Sequence, residues 1–232
     1  MGDNNLNDEM LEDFFVNSKK FMSLMMMYRS AIREIKTKLE VLDDEFSIEH
    51  KRNPIASIQS RIKKPESIYQ KLTKLGYEVT TDNIREHLND VAGIRVVCPF
   101  LEDIYHVADL LASQDDIKLI KVKDYIEHPK ENGYRSYHMI VEIPVFFSEG
   151  KTLMRAEVQI RTMGMDFWAS LEHQLRYKKG LEETELYDQI SQRLQETAKM
   201  ITATDMEMEE IKQMLEKFQK EQEKSEKYGR KR

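Results

Sequence analysis

The stretch that decides the fold is residues 129–145, which read PKENGYRSYHMIVEIPV. Its second half, residues 137–145, has the length and the apolar, β-branched composition of a strand. Its first half, residues 129–136, gathers two cations, a tyrosine, a serine and a turn-forming Asn-Gly pair, and His138 follows two residues later. Lysine and arginine meet phosphate charge, and a tyrosine ring stacks on a base. The pattern therefore predicts a nucleotide-binding loop that leads into a strand.

A second dense run follows at residues 157–162, which read EVQIRT. Apolar and polar residues alternate in it, so Glu157, Gln159 and Arg161 are predicted to share one face of a strand. Turn-forming residues at 148–151 join this strand, predicted at 152–160, to the preceding one. The two dense runs should therefore belong to one β-hairpin.

Further strands and helices are predicted around this hairpin. The patterns indicate strands at 93–100 and 117–122 and helices at 103–112 and 162–178. Another helix should begin at Pro65 and end at a Gly76 cap, and Thr81 should cap a short helix after it. Strands in the middle, with helices before, between and after them, predict an α+β fold.

Long helices are predicted at both ends of the chain. Near the N-terminus, apolar residues recur at steps of four and three, at Phe21, Met25, Tyr28, Ile32, Ile35, Leu39 and Leu42. This seam suits packing on the chain's own domain, and it also suits packing on another subunit. In the C-terminal region a weaker seam recurs every seventh residue, at Leu194, Ile201, Met208 and Leu215. Beyond Lys220 the charged chain is predicted to be disordered.

The composition excludes several classes of protein. The 232 residues allow one domain with a core plus extensions. A net charge of −6 and a pI near 5.7 argue against a general nucleic-acid-binding surface. The single cysteine, Cys98, excludes an internal disulfide and a cysteine-rich zinc site, and we expect it to be buried. There is no apolar stretch of membrane-spanning length and no signal peptide, so we expect a cytoplasmic protein without membrane contact.

Together these motifs resemble the synthetase domain of the RelA/SpoT family. Its members make the alarmones ppGpp and pppGpp by transferring pyrophosphate from ATP to the 3′-hydroxyl of GDP or GTP. Residues 90–95, DVAGIR, are similar to the family's Asp-x-x-Gly-x-Arg motif. KDY at 123–125 precedes the NGYRS segment at the family spacing, and FWASLEH at 167–173 closes the domain as in small alarmone synthetases. Residues 50–55 and 122–126 are most similar to the RelP (YwaC) branch.

The resemblance implies an architecture as well as an activity. We expect a mixed β-sheet of the nucleotidyltransferase-like type, flanked by helices, in a homotetramer. The chain then divides into an N-terminal helical region for oligomerisation at 1–52, a catalytic domain at 53–180, and a C-terminal helix with a charged tail at 181–232.

For the donor nucleotide, the resemblance implies an ATP site made of Arg61, Lys63, Ser67, Lys71, Lys74 and Arg95. The two arginines would sandwich the adenine, because a guanidinium plane stacks on a base. The lysines would meet the triphosphate. Taken without the resemblance, the lysines read as solvated surface charge.

Asp90 and Glu157 are the predicted acidic pair. Carboxylates placed against a core are rare unless they are paired or metal-bound. The resemblance assigns Mg²⁺ to Asp90, and it makes Glu157 either a second ligand or the base for the 3′-hydroxyl. Gln159 completes the catalytic set. We also expect neutral substitutes for either carboxylate to keep or raise stability, since neither charge is compensated without the metal.

For the acceptor, the resemblance implies a site made of Lys123, Lys130, Tyr134, Arg135, His138, Gln159 and Asp166. Tyr134 would stack on guanine, the cations and His138 would surround the phosphates and ribose, and Gln159 would position that ribose. Asp166 has two readings of equal weight. It could accept hydrogen bonds from guanine, or it could be a first-turn helix residue favoured by the helix dipole.

Two other functions compete with alarmone synthesis. A nucleotidyltransferase acting on a nucleic-acid end needs closely spaced carboxylates and a basic track, and the sequence has no Asp-x-Asp motif. A non-catalytic nucleotide sensor would not need Asp90 and Glu157. The hydrolase site of longer family members relies on an adjacent His-Asp pair, which this sequence lacks. We therefore expect a monofunctional synthetase of stringent-response signalling.

Overall fold

The computed structural model describes residues 18–50, 52–176 and 184–229. Within these ranges the chain forms six helices and five strands, which confirms the predicted α+β class. The helices are α1 (Lys19–His50), α2 (Pro65–Leu75), α3 (Thr81–His87), α4 (Leu101–Ala112), α5 (Met163–Arg176) and α6 (Glu185–Gly229). The strands are β1 (Ser57–Ile62), β2 (Ala92–Cys98), β3 (Lys118–Asp124), β4 (Tyr137–Phe147) and β5 (Gly150–Thr162).

The strands form one mixed sheet in the order β1-β2-β5-β4-β3. The β2–β5 pair is parallel, and the other three pairs are antiparallel. The predicted hairpin is confirmed as β4 and β5, and its turn ends at Gly150 with a φ of 117°. The parallel pair places Arg95 of β2 opposite Gln159 of β5. Motifs far apart in the sequence therefore meet at the centre of the sheet.

The two faces of the sheet have different roles. One face is covered by α1 and α4, and the side chains beneath them, such as Ile94, Val158 and Ile160, are buried. Because side chains alternate along a strand, Glu157, Gln159 and Arg161 lie on the other face. The register flanks Gln159 with Arg95 on one side and His138 on the other. Polar side chains therefore gather on the face opposite the core.

The seam of α1 packs on the chain's own sheet. Tyr28, Ile35 and Leu39 are fully buried, and α1 contacts β2, β4, β5 and α4. The seam suited packing on the chain's own domain or on another subunit, and in the structure it packs on the chain's own domain. An oligomerisation role for region 1–52 stays a prediction, and residues 1–17 of that region lie outside the described residues.

We expect Ile35→Val to lower the free energy of unfolding by about 0.5–1.5 kcal/mol, because it removes a buried methyl group. Ile48→Val is the matched control in the same helix, since Ile48 is 82% exposed. It should change the free energy of unfolding by less than about 0.5 kcal/mol. Denaturant unfolding measures both variants, and equal losses would contradict the packing of α1 described above.

Most of the predicted boundaries agree with the structure. Pro65 is the first residue of α2, and Gly76 caps that helix with a φ of 79°. The cap of α3 is Thr80 and not Thr81, since its side chain accepts a hydrogen bond from the Asn83 amide. Strand β1 was not predicted, because its sequence, SIQSRI, is largely polar and lies at the exposed edge of the sheet. Cys98 is buried, as expected.

Helix α6 is longer than predicted, and the burial of its seam varies along its length. It continues to Gly229, where disorder was predicted beyond Lys220, because lysine, glutamate and glutamine are good helix formers. Its seam is half-buried at Leu194 and Ile201 but exposed at Met208 and Leu215. The predicted end of the preceding helix near Gly180 lies outside the described residues. Within the described ranges, no helix combines the length and apolarity needed to cross a bilayer.

Candidate functional site

A cleft of about 240 Å³ lies on the polar face of the sheet. Residues of β1, β2, β5 and the loop before β2 line it, namely Gln59, Ser60, Arg61, Asp90, Gly93, Ile94, Arg95, Glu157 and Gln159. Five of these were predicted as site residues: Arg61, Asp90, Arg95, Glu157 and Gln159. Larger hollows lie elsewhere on the surface. This cleft is the one in which Asp90, Glu157, Arg61 and Arg95 converge.

Asp90 lies at the cleft between two lysines. Its Oδ2 atom is 3.0 Å from the Nζ of Lys63 and 2.7 Å from the Nζ of Lys71. Burial raises the pKa of Asp90, but the hydrogen bonds and charges of Lys71 and Lys63 outweigh it and leave that pKa below its ordinary value. Its Oδ1 atom is buried and has no hydrogen-bond partner among the described residues. Asp90 is therefore an ionised carboxylate with one oxygen free for a ligand.

Glu157 lies inside β5 and is also held in its charged form. Its Oε1 atom is 3.4 Å from the Nδ1 of His138, and its Oε2 atom accepts a hydrogen bond of 2.7 Å from the Nε2 of Gln159. Burial raises the pKa of Glu157, and the contacts with His138 and then Gln159 outweigh it and lower that pKa below its usual range. The second predicted carboxylate is thus ionised, which is the form that binds a cation.

Arg161 joins the two halves of the site, although sequence reasoning did not select it. Its side chain is buried, and its guanidinium donates to four partners: the Tyr134 hydroxyl, Gln159 Oε1 at 2.9 Å, Ser136 Oγ at 3.2 Å and Asp166 Oδ1 at 3.2 Å. The alternation along β5 placed this arginine on the Glu157 face, and that was the available signal. What the sequence did not show is which side chains would converge on it.

Asp166 lies in the first turn of α5, as one of its two readings proposed. Its Oδ1 atom is 3.2 Å from Nη1 of both Arg161 and Arg95. The carboxylate therefore pairs with two arginines that belong to different strands. This contact fixes the guanidinium of Arg95 beside the cleft, and a contact between Asp166 and guanine stays a prediction.

The loop between β3 and β4 carries three of the predicted acceptor residues, Lys130, Tyr134 and Arg135, and His138 lies at the start of β4. The Tyr134 hydroxyl and the Nε2 of His138 are 2.9 Å apart, and the Nζ of Lys130 lies 4.9 Å from the centre of the Tyr134 ring. Arg135 points elsewhere, since its Nη atoms donate to the Ile126 carbonyl and to the Thr202 hydroxyl of α6, both at 2.9 Å. These contacts support the loop, and acceptor binding by Arg135 remains a prediction.

The remaining predicted residues lie around these groups. Lys123 is exposed on β3 and pairs in register with His138, so it shares the polar face of the sheet. Ser67 and Lys74 are on α2 with Lys71, but neither lines the cleft. The structure therefore brings Lys63 and Lys71 to Asp90, while Ser67 and Lys74 lie on α2 outside the lining of the cleft.

The donor set suits a magnesium ion that is completed by substrate. Among the residues that the structure describes, no three acidic, histidine or cysteine side chains cluster in the manner of a metal site. Mg²⁺ usually binds one or two carboxylates together with waters and substrate phosphates. Asp90, with its unpartnered Oδ1, and the charged Glu157 fit that pattern.

Comparisons with known proteins relate both the sequence and the fold to one family. Residues 60–182, just over half of the chain, match the model described as a region found in RelA / SpoT proteins. The chain is 38% identical to GTP pyrophosphokinase YwaC of Bacillus subtilis (strain 168) over 206 residues, which are 89% of this chain and 97% of that protein.

Two solved structures from Bacillus subtilis are also similar. Small alarmone synthetase 2 matches with a TM-score of 0.76 and 38% identity, over 84% of this chain and 100% of that chain. Small alarmone synthetase 1 bound to its product pppGpp matches with a TM-score of 0.76 and 32% identity, over 86% of this chain and 100% of that chain.

Proposed function

This chain belongs to the RelA/SpoT family, and we propose on that basis that it is a GTP pyrophosphokinase of the small alarmone synthetase type. It transfers pyrophosphate from ATP to the 3′-hydroxyl of GDP or GTP. The 3′-oxygen bonds to the β-phosphorus of ATP, the bond from that phosphorus to the bridging oxygen of the α-phosphate breaks, and AMP leaves. The observation that carries the proposal is the convergence of two ionised carboxylates, two lysines and two arginines on one cleft.

The donor side of the cleft has the groups that ATP requires. Arg61 and Arg95 line it from neighbouring strands, and we propose that their guanidinium planes hold the adenine. Lys63 and Lys71 would then meet the triphosphate, since both ammonium groups already lie beside Asp90. Ser67 and Lys74 would extend this row along α2. A cationic row of this kind spreads the charge that develops during phosphoryl transfer.

Asp90 and Glu157 are the residues that would hold magnesium. When bound, the ion neutralises the phosphate oxygens of ATP during transfer. Lys63 and Lys71 keep Asp90 charged, and His138 with Gln159 keeps Glu157 charged. The charged form of Glu157 serves either of its two proposed roles, as a metal ligand or as the acceptor of the 3′-hydroxyl proton.

The acceptor would lie on the β4 side of the same carboxylates. We propose that Tyr134 stacks on guanine, that Lys123, Lys130 and His138 surround the phosphates and ribose, and that Gln159 positions the ribose next to Glu157. Asp166 would contact the guanine edge. A direct contact of Arg135 with the acceptor would require it to leave Thr202, its partner in the structure.

The experiment that tests this function is incubation with labelled ATP, GDP or GTP, and Mg²⁺. We expect a guanosine 3′-diphosphate product and AMP in equal amounts. The matched control replaces GDP by 3′-deoxy-GDP, which lacks the attacking hydroxyl and should give no product. Nucleotide addition to a nucleic-acid end with release of pyrophosphate, or binding of both nucleotides without turnover, would contradict the proposal.

We expect Tyr134→Ala to weaken binding of the acceptor nucleotide by about 1–3 kcal/mol, because it removes one base–aromatic stack. The effect should appear as a raised KM for GDP or GTP with a nearly constant KM for ATP. Tyr134→Phe keeps the ring but loses the hydroxyl contacts with His138 and Arg161, so it separates stacking from hydrogen bonding. A wild-type acceptor KM in Tyr134→Ala would rule out the stacking role.

We further propose a cytoplasmic homotetramer with synthesis but no hydrolysis of alarmones, active in the stringent response and without nucleic acid as a partner. The distal part of α6 exposes apolar side chains that suit another subunit, namely Met208, Ile211, Met214, Leu215 and Phe218. The net charge of −6 disfavours a polyanionic partner. Mass measurement in solution tests the assembly, and a monomer would contradict it.

A further inference from the structure

The acceptor loop, residues 129–136, rests directly on α6. Gly133 has a φ of 89°, and a methyl group at this position would lie 2.6 Å from the Cβ of Ala198. The loop backbone therefore approaches the helix more closely than a side chain would allow. Ala198 is buried in this contact, which leaves the loop little freedom to move toward the helix.

Two polar contacts hold the loop on either side of Gly133. Gln195 of α6 donates from Nε2 to the Glu131 carbonyl at 2.8 Å. Arg135 donates from Nη1 to the Thr202 hydroxyl at 2.9 Å and from Nη2 to the Ile126 carbonyl at 2.9 Å. The α6 residues in these contacts are 195, 198 and 202, which share one helix face at spacings of three and four. One face of α6 therefore fixes the loop at three successive points.

The same face also supports Tyr134. The tyrosine packs with Leu194 and Ile201 of α6 in a small cluster around Trp168 and Ala198. The indole Nε1 of Trp168 donates to the Leu194 carbonyl at 2.9 Å, so α5 is tied into the support. The position of the proposed guanine-stacking ring thus depends on a helix that lies outside the cleft.

Helix α6 is itself anchored beyond the loop. Thr162 at the end of β5 donates to Asp205 Oδ2 at 2.7 Å. The Glu102 amide of α4 donates to Glu209 at 3.1 Å, and the buried Lys212 donates to Glu102 at 2.7 Å. These contacts fix the helix to the sheet and to α4, so it can hold the loop in place.

From these contacts we infer that Gln195, Ala198 and Thr202 of α6 are positioning residues for the acceptor nucleotide. They do not touch the cleft, and they act by fixing the loop that carries Lys130 and Tyr134. The inference rests on the proposed function for its kinetic consequence. Its structural consequence, a loop held by α6, stands independently of any activity.

The test compares Thr202→Val with Thr204→Val. Both threonines donate to the carbonyl four residues earlier, at 2.9 and 3.0 Å, but only Thr202 also accepts from Arg135. Thr202→Val should raise the KM for GDP or GTP about tenfold, because the charged Arg135 loses one of its two hydrogen-bond acceptors and its only one on α6 among the described residues. The KM for ATP and the melting temperature should stay at the values of Thr204→Val, and Thr202→Ser should restore the acceptor KM.

Hydrogen–deuterium exchange gives a readout that needs no turnover. The amides of Gly133 and Lys130 donate within the loop at 2.8 and 3.1 Å, so their exchange reports whether the loop is held. Exchange should accelerate in Thr202→Val and in Ala198→Leu, whose larger side chain pushes against Gly133, and it should not change in Thr204→Val. Unchanged exchange in both test variants overturns the inference.

The kinetic outcomes distinguish a failure of the positioning role of α6 from a failure of the proposed function. Equal increases in both KM values with a lowered melting temperature would make α6 a general stabiliser and would overturn the positioning role. If the wild-type protein makes no alarmone, the proposed function fails, while the exchange measurement still decides whether α6 holds the loop.

Discussion

Asp90→Asn and Glu157→Gln should each reduce alarmone synthesis by about a hundredfold or more while the protein stays folded. Both changes preserve shape and remove a negative charge from the cleft. Under the proposed function these carboxylates would hold the cation that neutralises the reacting phosphate, so loss of either charge should raise the free energy of the transition state. Turnover at saturating ATP and acceptor, combined with circular dichroism, measures the effect. Near-wild-type turnover in either variant would reject the role assigned to that carboxylate.

The dependence of turnover on Mg²⁺ separates the two roles of Glu157. If Glu157 is a metal ligand, Glu157→Gln should need more Mg²⁺ to reach half of its own maximal rate. If it accepts the hydroxyl proton, the variant should keep the wild-type Mg²⁺ dependence and lose the acidic limb of its pH–rate profile. Asp90→Asn provides the reference for a lost ligand.

The structure reverses our expectation that neutral variants would keep or gain stability. Two ammonium groups lie within 3.0 Å of Asp90 and lower its pKa in the folded protein. A carboxyl group with a lowered pKa contributes stability above its ordinary pKa, and this contribution is lost as the pH falls. The difference in unfolding free energy between wild type and Asp90→Asn should therefore shrink below about pH 4. Denaturant unfolding at pH 7 and pH 3 measures it, with Asp82→Asn as an exposed control.

Arg161→Met should produce the second large effect, a loss of both stability and acceptor binding. The substitution leaves the Tyr134 hydroxyl, the Gln159 amide oxygen and Ser136 without the donor that joins them. Removing one partner from a buried charged network costs about 3–5 kcal/mol. Asp166 still pairs with Arg95, so the lower end of that range is expected for the free energy of unfolding.

Lys151→Met is the matched control for Arg161→Met, since it removes a cation from the exposed end of the same strand. Urea unfolding should show little change in the control. In Arg161→Met the KM for GDP or GTP should also rise, because Tyr134 and Gln159 lose a common anchor. A stable Arg161→Met protein with a wild-type acceptor KM would show that the network does not organise the site.

Local chemistry explains which parts of the fold could be predicted. The strand pattern and the turn around residues 148–151 led to the β4–β5 hairpin, and proline and glycine marked both ends of α2. These signals are contained in a few neighbouring residues. Strand β1 was not predicted, because an edge strand that is exposed to solvent does not need alternating apolar and polar residues. The surface on which the α1 seam packs could not be predicted either, because a heptad pattern does not specify its packing partner.

The candidate site was also predictable only in part. The family resemblance pointed to Asp90, Arg95 and Glu157, which the structure places at one cleft. It did not predict that Asp166 would join two arginines or that Arg135 would reach α6. Those contacts depend on the parallel register of β2 and β5 and on the path of the last helix. Neither is specified by any short stretch of sequence.

The support of the acceptor loop by α6 has a consequence for the newly made protein. A chain emerges from the ribosome with its N-terminal part first, and α6 follows every other described element. The cleft that would hold ATP can form from β1, β2 and β5 while α6 is still being translated. The loop for the second nucleotide acquires its support only afterwards. A nascent chain would therefore be able to hold one nucleotide before it could release a stress signal.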